Sequence, residues 1–512
     1  MKKRNKAAFG DFQTPGWLAR QIAELLAGQG VQPAAVLEPT CGQGSFLLAA
    51  YEVFPTAVTF TGLDINAQYI ETLKQHPLAQ QNPRQFRLQT ADFFRTDWQQ
   101  ILEALPDPLL IIGNPPWVTN SALSALDSGN LPVKSNFQGK TGIEAITGAS
   151  NFDISEWMLL RMMEWVEKRQ AVIAMLCKTA VARKLLQQMW QTQPEPFPQT
   201  ALYLIDSQKA FNVSVDACLF VYDTRTATTS RDCPVFPNLT ALRPQSVIGF
   251  HEKKLVANVT YYRQWQHLNH RQSKTPYKWR SGIKHDCAKV MELQKEGHLY
   301  RNKLGELAEL EDKYLYPLLK GSDLTRKEGE RPSRWLLVPQ QFTGENTQTI
   351  RFIAPKTWAY LQAHAACLDN RKSVIYKNRP RFSIFGVGAY SFAPWKVAVS
   401  GMRKEIWFTA VGPQNDKPVM LDDTCYFLPC QSREEAELLT NLLNSGAAQQ
   451  FFQAFIFSDA KRPITGKILQ QLNIPALAKE LNKLAQLREV TRTQANRPQQ
   501  LPLFESKELA PG

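Results

Sequence analysis

Asn114-Pro115-Pro116-Trp117 combines side chains that can grip a planar ring bearing an exocyclic amine. The amide oxygen of Asn114 and the carbonyl of Pro115 can each accept a hydrogen bond from an NH2 group. The Trp117 face can stack on the ring, and base–aromatic stacking is worth roughly 1–3 kcal/mol. Pro115 and Pro116 hold the backbone extended, because each fixes its own φ and restricts the residue before it. The duller reading has Asn114 capping a turn and Trp117 in a core with its indole N–H satisfied.

Three further polar positions precede this one at regular intervals. Ala35-Val36-Leu37-Glu38-Pro39-Thr40-Cys41-Gly42-Gln43-Gly44-Ser45-Phe46 reads as strand, tight turn and helix, with Gly42 and Gly44 permitting close backbone approach to a ligand. It is neither G-x-G-x-x-G nor a phosphate-binding P-loop, since no lysine follows. Val58–Ile65 ends in Asp64, placed to accept from both ribose hydroxyls of a nucleoside or, alternatively, to cap the next helix. Phe86–Thr90 leads to Asp92-Phe93-Phe94, where Asp92 can accept from an adenine amine.

The elements that must position these residues alternate. Strand patterns begin near Val36, Val58, Phe86, Leu109 and Ala171, with helical patterns after Ser45, Asn66, Asp97, Asp153 and Thr179. Leu109-Leu110-Ile111-Ile112 is a buried strand that delivers Asn114 at its carboxyl end, where open α/β sheets bind ligands. This alternation predicts a mostly parallel sheet with helices on both faces. Ala201–Ile205 and Ala217–Tyr222 have little between them, which predicts an antiparallel pair at a sheet edge.

Together these motifs resemble the S-adenosylmethionine-dependent amino-methyltransferases of DNA, specifically the adenine-N6 gamma class of restriction–modification systems. Phe12-Gln13-Thr14-Pro15 is similar to that class's first cofactor motif, and Ala210–Ala217 to the motif whose phenylalanine, here Phe211, packs on a flipped base. The likeness covers roughly residues 10–225. Less sharply, Tyr314–Asp323 and Arg381–Phe385 are similar to the family's recognition domains. The resemblance implies a Rossmann-like α/β methyltransferase domain over residues 1–225, a linker at 226–250, a mixed α+β target-recognition domain at 251–489 and a flexible tail from 490. It implies catalysis by Asn114, Pro115, Pro116 and Trp117, with the base against Trp117 and Phe211. The implied cofactor site holds S-adenosyl-L-methionine through Thr14, Glu38, Pro39, Thr40, Cys41, Gly42, Gly44, Asp64, Ile65, Asp92, Phe93 and Asn114, with no metal. Cytosine-N4, RNA and protein-glutamine methylation remain alternatives on the same chemistry.

Composition and charge agree. The 512 residues are 44% hydrophobic and 21% charged, typical of a globular protein in a cytoplasm, without a membrane-length apolar run. The eight cysteines form no C-x-x-C pair and read as reduced core thiols rather than a zinc site. Residues 251–410 hold 28 Lys+Arg against 14 Asp+Glu, a net of +14 that equals the excess of the whole chain. That segment also carries Tyr277, Trp279, Tyr376, Phe382, Phe385 and Tyr390, which suggests a phosphate-binding face for double-stranded DNA. Residues 118–150 are polar and read as a lid over the base, a DNA contact or a plainly disordered loop. Gln500-Leu501-Pro502-Leu503-Phe504 reads first as an apolar patch anchoring the tail to its own domain, and is also similar to a sliding-clamp docking peptide. No endonuclease carboxylate cluster is evident, so a cognate endonuclease would be a separate protein.

Overall fold

The computed structural model describes residues 12–118, 153–269, 277–326 and 333–495. The chain divides into two compact units, Met1–Thr260 and Tyr261–Gly512. Most of the 118–150 segment and the Gln500–Phe504 motif lie outside the described residues. No helix among the described residues is long and apolar enough to cross a membrane, and they hold no cluster of metal-ligating side chains.

The first unit opens with α1 (Gly16–Gly28), which starts directly after Pro15 and buries Leu18, Ile22 and Leu26. Then follow β1 (Ala35–Glu38), α2 (Ser45–Val53), β2 (Thr59–Asp64), α3 (Ala67–Lys74), α4 (Pro77–Gln81), β3 (Phe86–Thr90), α5 (Trp98–Glu103) and β4 (Leu109–Gly113). The chain continues through α6 (Ile154–Trp165), β5 (Ala171–Lys178), α7 (Thr179–Thr192), β6 (Phe197–Ile205), α8 (Ser207–Phe211) and β7 (Ala217–Thr228). It ends with β8 (Asp232–Phe236), β9 (Ser246–His251) and β10 (Lys254–Val256).

These strands form one ten-stranded sheet in the order β10-β9-β8-β6-β7-β5-β4-β1-β2-β3. From β3 to β5 every neighbouring pair is parallel. β1 and β4 are buried throughout, as expected of parallel strands covered on both faces, so their sequences are unbroken apolar runs except for Glu38. The order reverses at β1, which pairs with β2 on one side and β4 on the other. Ligands of open α/β sheets sit at such a reversal, outside the carboxyl ends of the strands.

Three features differ from the sequence-based expectation. β6 and β7 do pair antiparallel, but not at an edge: β7 lies between β5 and β6, and β8 extends the sheet beyond β6. The stretch expected to be a linker at 226–250 instead holds the end of β7, all of β8 and most of β9. Its threonines and serine mislead because this part of the sheet is only half covered, so the burial that marks a strand is weak. Residues expected in a flexible tail from 490 continue a helix over Leu484–Ala495.

The second unit is mixed α+β. One antiparallel sheet has the order β11 (Arg280–Ser281), β20 (Cys425–Cys430), β17 (Trp395–Ser400), β18 (Phe408–Val411). The other runs β14 (Leu307–Ala308), β13 (Leu299–Arg301), β12 (Glu292–Glu296), β16 (Trp335–Leu337), β15 (Leu315–Leu319), β19 (Met420–Leu421). Glu292 is buried where Lys303 and Lys320 each reach it at 2.6 Å and His285 at 3.4 Å. Burial alone would raise its carboxyl, but these three donors outweigh it and hold the group well below the usual carboxylate range.

Candidate active site

β4 ends at Gly113, whose φ of +156° releases the chain into the Asn-Pro-Pro-Trp segment. The Asn114 amide nitrogen donates to the Phe12 carbonyl at 3.2 Å and to Thr14 Oγ1 at 3.4 Å. Asn114 Oδ1 is buried and has no hydrogen-bond partner among the described residues. Phe12 offers only an acceptor there, so the network assigns the amide with its nitrogen toward Phe12 and its oxygen toward the site. A buried carbonyl oxygen left unpaired carries a free-energy cost, which a donor from a bound amine would remove.

Trp117 is nearly buried, at 6% exposure. Its indole N–H donates to the Leu176 carbonyl at 3.4 Å, so the polar edge is satisfied as in a core tryptophan. Its ring meets Phe211 edge-on at 5.3 Å, and Phe12 lies 6.1 Å from Trp117 and 6.3 Å from Phe211. The three rings converge from distant parts of the chain beside Asn114. Phe12 is the site residue that sequence reasoning passed over, although it stands in the Phe12-Gln13-Thr14-Pro15 motif. Phe211 joins the group because α8 returns it to the end of the sheet.

The second half of the site is the turn between β1 and α2. Gly42 and Gly44 have φ of +50° and +80°, a region L-residues rarely adopt. Asp64 Oδ2 accepts from the Gly42 N–H at 2.8 Å and Oδ1 from the Asn66 N–H at 2.8 Å. Asp64 therefore braces the glycine turn from the end of β2, and Asn66, not Asp64, caps α3. Gln13 braces the same turn by accepting from the Gln43 N–H at 3.1 Å. Ile65, next to Asp64, is 54% exposed, an apolar surface at a strand end where a flat ring can rest. Pro39 and Cys41 are buried, and burial pushes the Cys41 thiol far up, so it stays neutral. The Thr40 hydroxyl is buried without a partner among the described residues.

Glu38 joins the two halves. It is 3% exposed and accepts from the Leu47 N–H at 3.2 Å. Burial pushes its carboxyl well above the ordinary range; the Leu47 bond opposes this and the nearby Asp64 carboxylate adds to it. The Glu38 side chain lies against Gly113, where an added Cβ would stand 3.3 Å from its Cγ. A buried carboxyl whose ionisation is disfavoured by burial thus sits directly behind the backbone that launches Asn114.

Asp92 and Phe93 are placed differently from one another. Asp92 Oδ1 accepts from the Phe94 N–H at 2.9 Å, closing the turn after β3. The Phe93 ring packs among Trp98, Trp165 and Trp157 at 4.9, 5.6 and 6.1 Å, so it serves an aromatic core cluster. Next to that cluster is a surface cavity of about 690 Å³ lined by Trp98, Leu102, Arg161, Trp165 and Arg169, none of which belongs to the Asn114 constellation.

The arrangement suits a cationic nucleoside. An exposed isoleucine offers a ring surface, the Thr40 hydroxyl has no partner among the described residues, a buried carboxyl gains from a positive charge, and two glycines hold the turn between them packed on Gln13 and Leu73. Gly44 is the tightest point: a Cβ there would lie 2.5 Å from both Leu73 methyl carbons. Gly44→Ala is expected to cost about 1–2 kcal/mol for the left-handed backbone alone, and to weaken nucleoside binding at least tenfold. Thermal melting and equilibrium dialysis with S-adenosylmethionine check both.

No family model matches the sequence. The chain is 44% identical over 477 residues to the type II methyltransferase M.NspV of Nostoc sp., an alignment covering 93% of this chain and 98% of that protein. The solved structure of the type IIL restriction-modification enzyme MmeI in complex with DNA is similar over 97% of this chain and 70% of that one, with a TM-score of 0.52 at 14% identity. That second likeness supports the mixed α/β fold. The first spans nearly the full length of both proteins at high identity, and on it the chain belongs to the type II methyltransferases.

Proposed function

We propose that this protein is the methyltransferase of a restriction–modification system, modifying the N6 amine of adenine in a duplex DNA sequence after the base is flipped from the helix. The observation that carries this reading is the buried Asn114 Oδ1, unpartnered and beside the rings of Phe12, Trp117 and Phe211. Support for DNA as the substrate comes from the type II relative, from the DNA-bound state of MmeI, and from the basic excess in residues 251–410.

The aromatics of the basic segment do not all lie on its surface. Tyr277, Trp279 and Phe382 are buried, so they build the second unit's core and do not offer a stacking surface. Among the described residues there, the exposed aromatics are Phe342, Phe352 and Trp407, at 58%, 74% and 57%.

The residues proposed to hold S-adenosylmethionine are Thr14, Glu38, Thr40, Gly42, Gly44, Asp64, Ile65 and Asp92. When bound it supplies an electrophilic methyl on a sulfonium. Asn114 Oδ1 and the Pro115 carbonyl accept hydrogen bonds from the target amine, which favours a pyramidal nitrogen with a localised lone pair. Asn114 is not a base, because an amide takes no proton at neutral pH; the proton leaves to solvent after transfer. Trp117 and Phe211 contact the extruded ring and offset the few kcal/mol that unstacking and unpairing cost. Most of the rate enhancement is positioning and electrostatics.

Long-read methylation mapping in a methylation-deficient host tests the reading, with Asn114→Ala beside the wild type. N6-methyladenine in one sequence context, absent in the variant, is the expected outcome. N4-methylcytosine would change the base and keep the site. No mark from the wild type would overturn DNA as the substrate.

A further inference from the structure

The end of β5 makes contacts that the amine-gripping chemistry does not account for. Lys178 is the last residue of β5 and the residue immediately before α7. Its ammonium donates to the Trp117 carbonyl at 3.1 Å and pairs with Asp153 at 2.5 Å. Asp153 is itself buried, at 7% exposure, and caps α6. Its second oxygen is taken by the Ser155 N–H at 3.1 Å and hydroxyl at 2.6 Å. Beside this pair the Ile154 N–H donates to the Val118 carbonyl at 2.9 Å. The Trp117 indole is bound to Leu176, two residues before Lys178 on the same strand.

Trp117 is therefore fastened to β5 twice, by its ring and by its carbonyl, and the second hold is an ammonium anchored by a buried carboxylate. Hydrogen bonds to charged groups are shorter and stronger than neutral ones. We propose that Lys178 is a positioning residue for methyl transfer: it grips the Trp117 carbonyl, fixes the indole plane relative to Asn114, and uses Asp153 to hold the first turn of α6 beside it. Lys178 touches no reacting atom in this scheme. The inference rests on reading Asn114–Trp117 as the target-amine site.

A neighbouring ion pair supplies the control. Lys184 on α7 pairs with the buried Glu156 on α6 at 2.5 Å. It ties α7 to α6, next to the place where Lys178 ties the end of β5 to the cap of α6, and makes no hydrogen bond to Trp117. A purely structural role for Lys178 would make the two lysines equivalent.

The test compares Lys178→Met, Lys178→Arg, Asp153→Asn and Lys184→Met in the full chain. A misplacement of about 1 Å at a reacting centre costs up to ~100-fold in rate. Lys178→Met is expected to lower kcat by about 10–100-fold, with KM for DNA and the dissociation constant of S-adenosylmethionine within a few-fold. Lys178→Arg restores part of the loss, and Asp153→Asn moves kcat in the same direction by less. Lys184→Met lowers the melting temperature comparably and leaves kcat nearly unchanged. Hydrogen exchange on the DNA-free protein should speed up at residues 117, 118 and 154–156 in Lys178→Met and not at 117 and 118 in Lys184→Met. Equal kcat in the two methionine variants, or a loss of kcat matched by lost cofactor binding and general exchange, would overturn the proposal. If Lys178→Met does not fold, Asp153→Asn against Lys184→Met decides it by the same measures. A wild type that methylates no DNA would sink the functional reading, while the exchange comparison would still decide whether Lys178 holds Trp117.

Discussion

Asn114→Ala is expected to lower methyl transfer by on the order of 10²–10³-fold, the usual consequence of deleting one oriented polar group that acts on the transition state. Cofactor affinity should change less than the transfer rate, because most of the groups proposed to bind the nucleoside lie on the β1–α2 turn and at the ends of β1, β2 and β3, and of them only Thr14 is bonded to the Asn114 amide nitrogen. The same substitution removes the donor that now serves the Phe12 carbonyl and Thr14 Oγ1. A loss of stability of about 1–3 kcal/mol should accompany it, visible as a lower melting temperature. Single-turnover kinetics separate the two effects. If the transfer rate at saturating substrates stays within tenfold of wild type, Asn114 does not orient the amine.

The second large effect concerns Glu38. Burial pushes its carboxyl well above the ordinary range and so favours the neutral form over the charged one. Its contribution to stability is fully present below the ordinary carboxylate value of about 4.3 and is lost as pH rises through the raised value. Glu38→Gln removes that titration. The ligand-free variant should therefore be more stable than wild type at neutral and alkaline pH, with the difference closing in acid. Cofactor binding should show the opposite ranking. A sulfonium beside Glu38 favours the ionised carboxylate, so binding releases protons and wild-type affinity rises with pH until Glu38 ionises unaided. Glu38→Gln should bind about 10–100-fold more weakly, corresponding to the roughly 1.5–3 kcal/mol of an interaction with a charged group, with little pH dependence in that window. Calorimetry in two buffers of different ionisation enthalpy counts the protons. Equal proton release in both proteins would remove Glu38 from the account.

Much of this site was legible in sequence because its residues sit at strand ends, and strand ends are where apolar runs stop. The runs ending at Glu38, Asp64 and Gly113 mark the carboxyl edge of β1, β2 and β4 without any knowledge of the fold. Residues that reach the site from elsewhere left weaker traces. Phe12 precedes α1 and is recognisable only through the motif that contains it. The bond from Lys178 to Trp117 spans 61 positions, and nothing in either local pattern announces it. The exposed aromatics of the second unit were also hidden. Burial there depends on which short strands pair, and two-residue strands such as β11 and β19 have no periodicity to read.

The continuation of the sheet through β8, β9 and β10 has a practical consequence for dissecting the protein. A fragment ending at residue 225 would strip β8 from β6, where Leu202 and Tyr203 pair with Val235 and Phe236. It would leave an open strand with unmet backbone donors and acceptors, a template for self-association. The apolar stack of Tyr203 on Phe236, with rings 4.6 Å apart, would be cut as well. Chimeras that exchange the second unit between relatives should therefore be joined after β10, ahead of the helix over Val259–Trp265 and close to where one compact unit gives way to the next. Junctions at the composition shift around 225 would divide a single sheet between two parents.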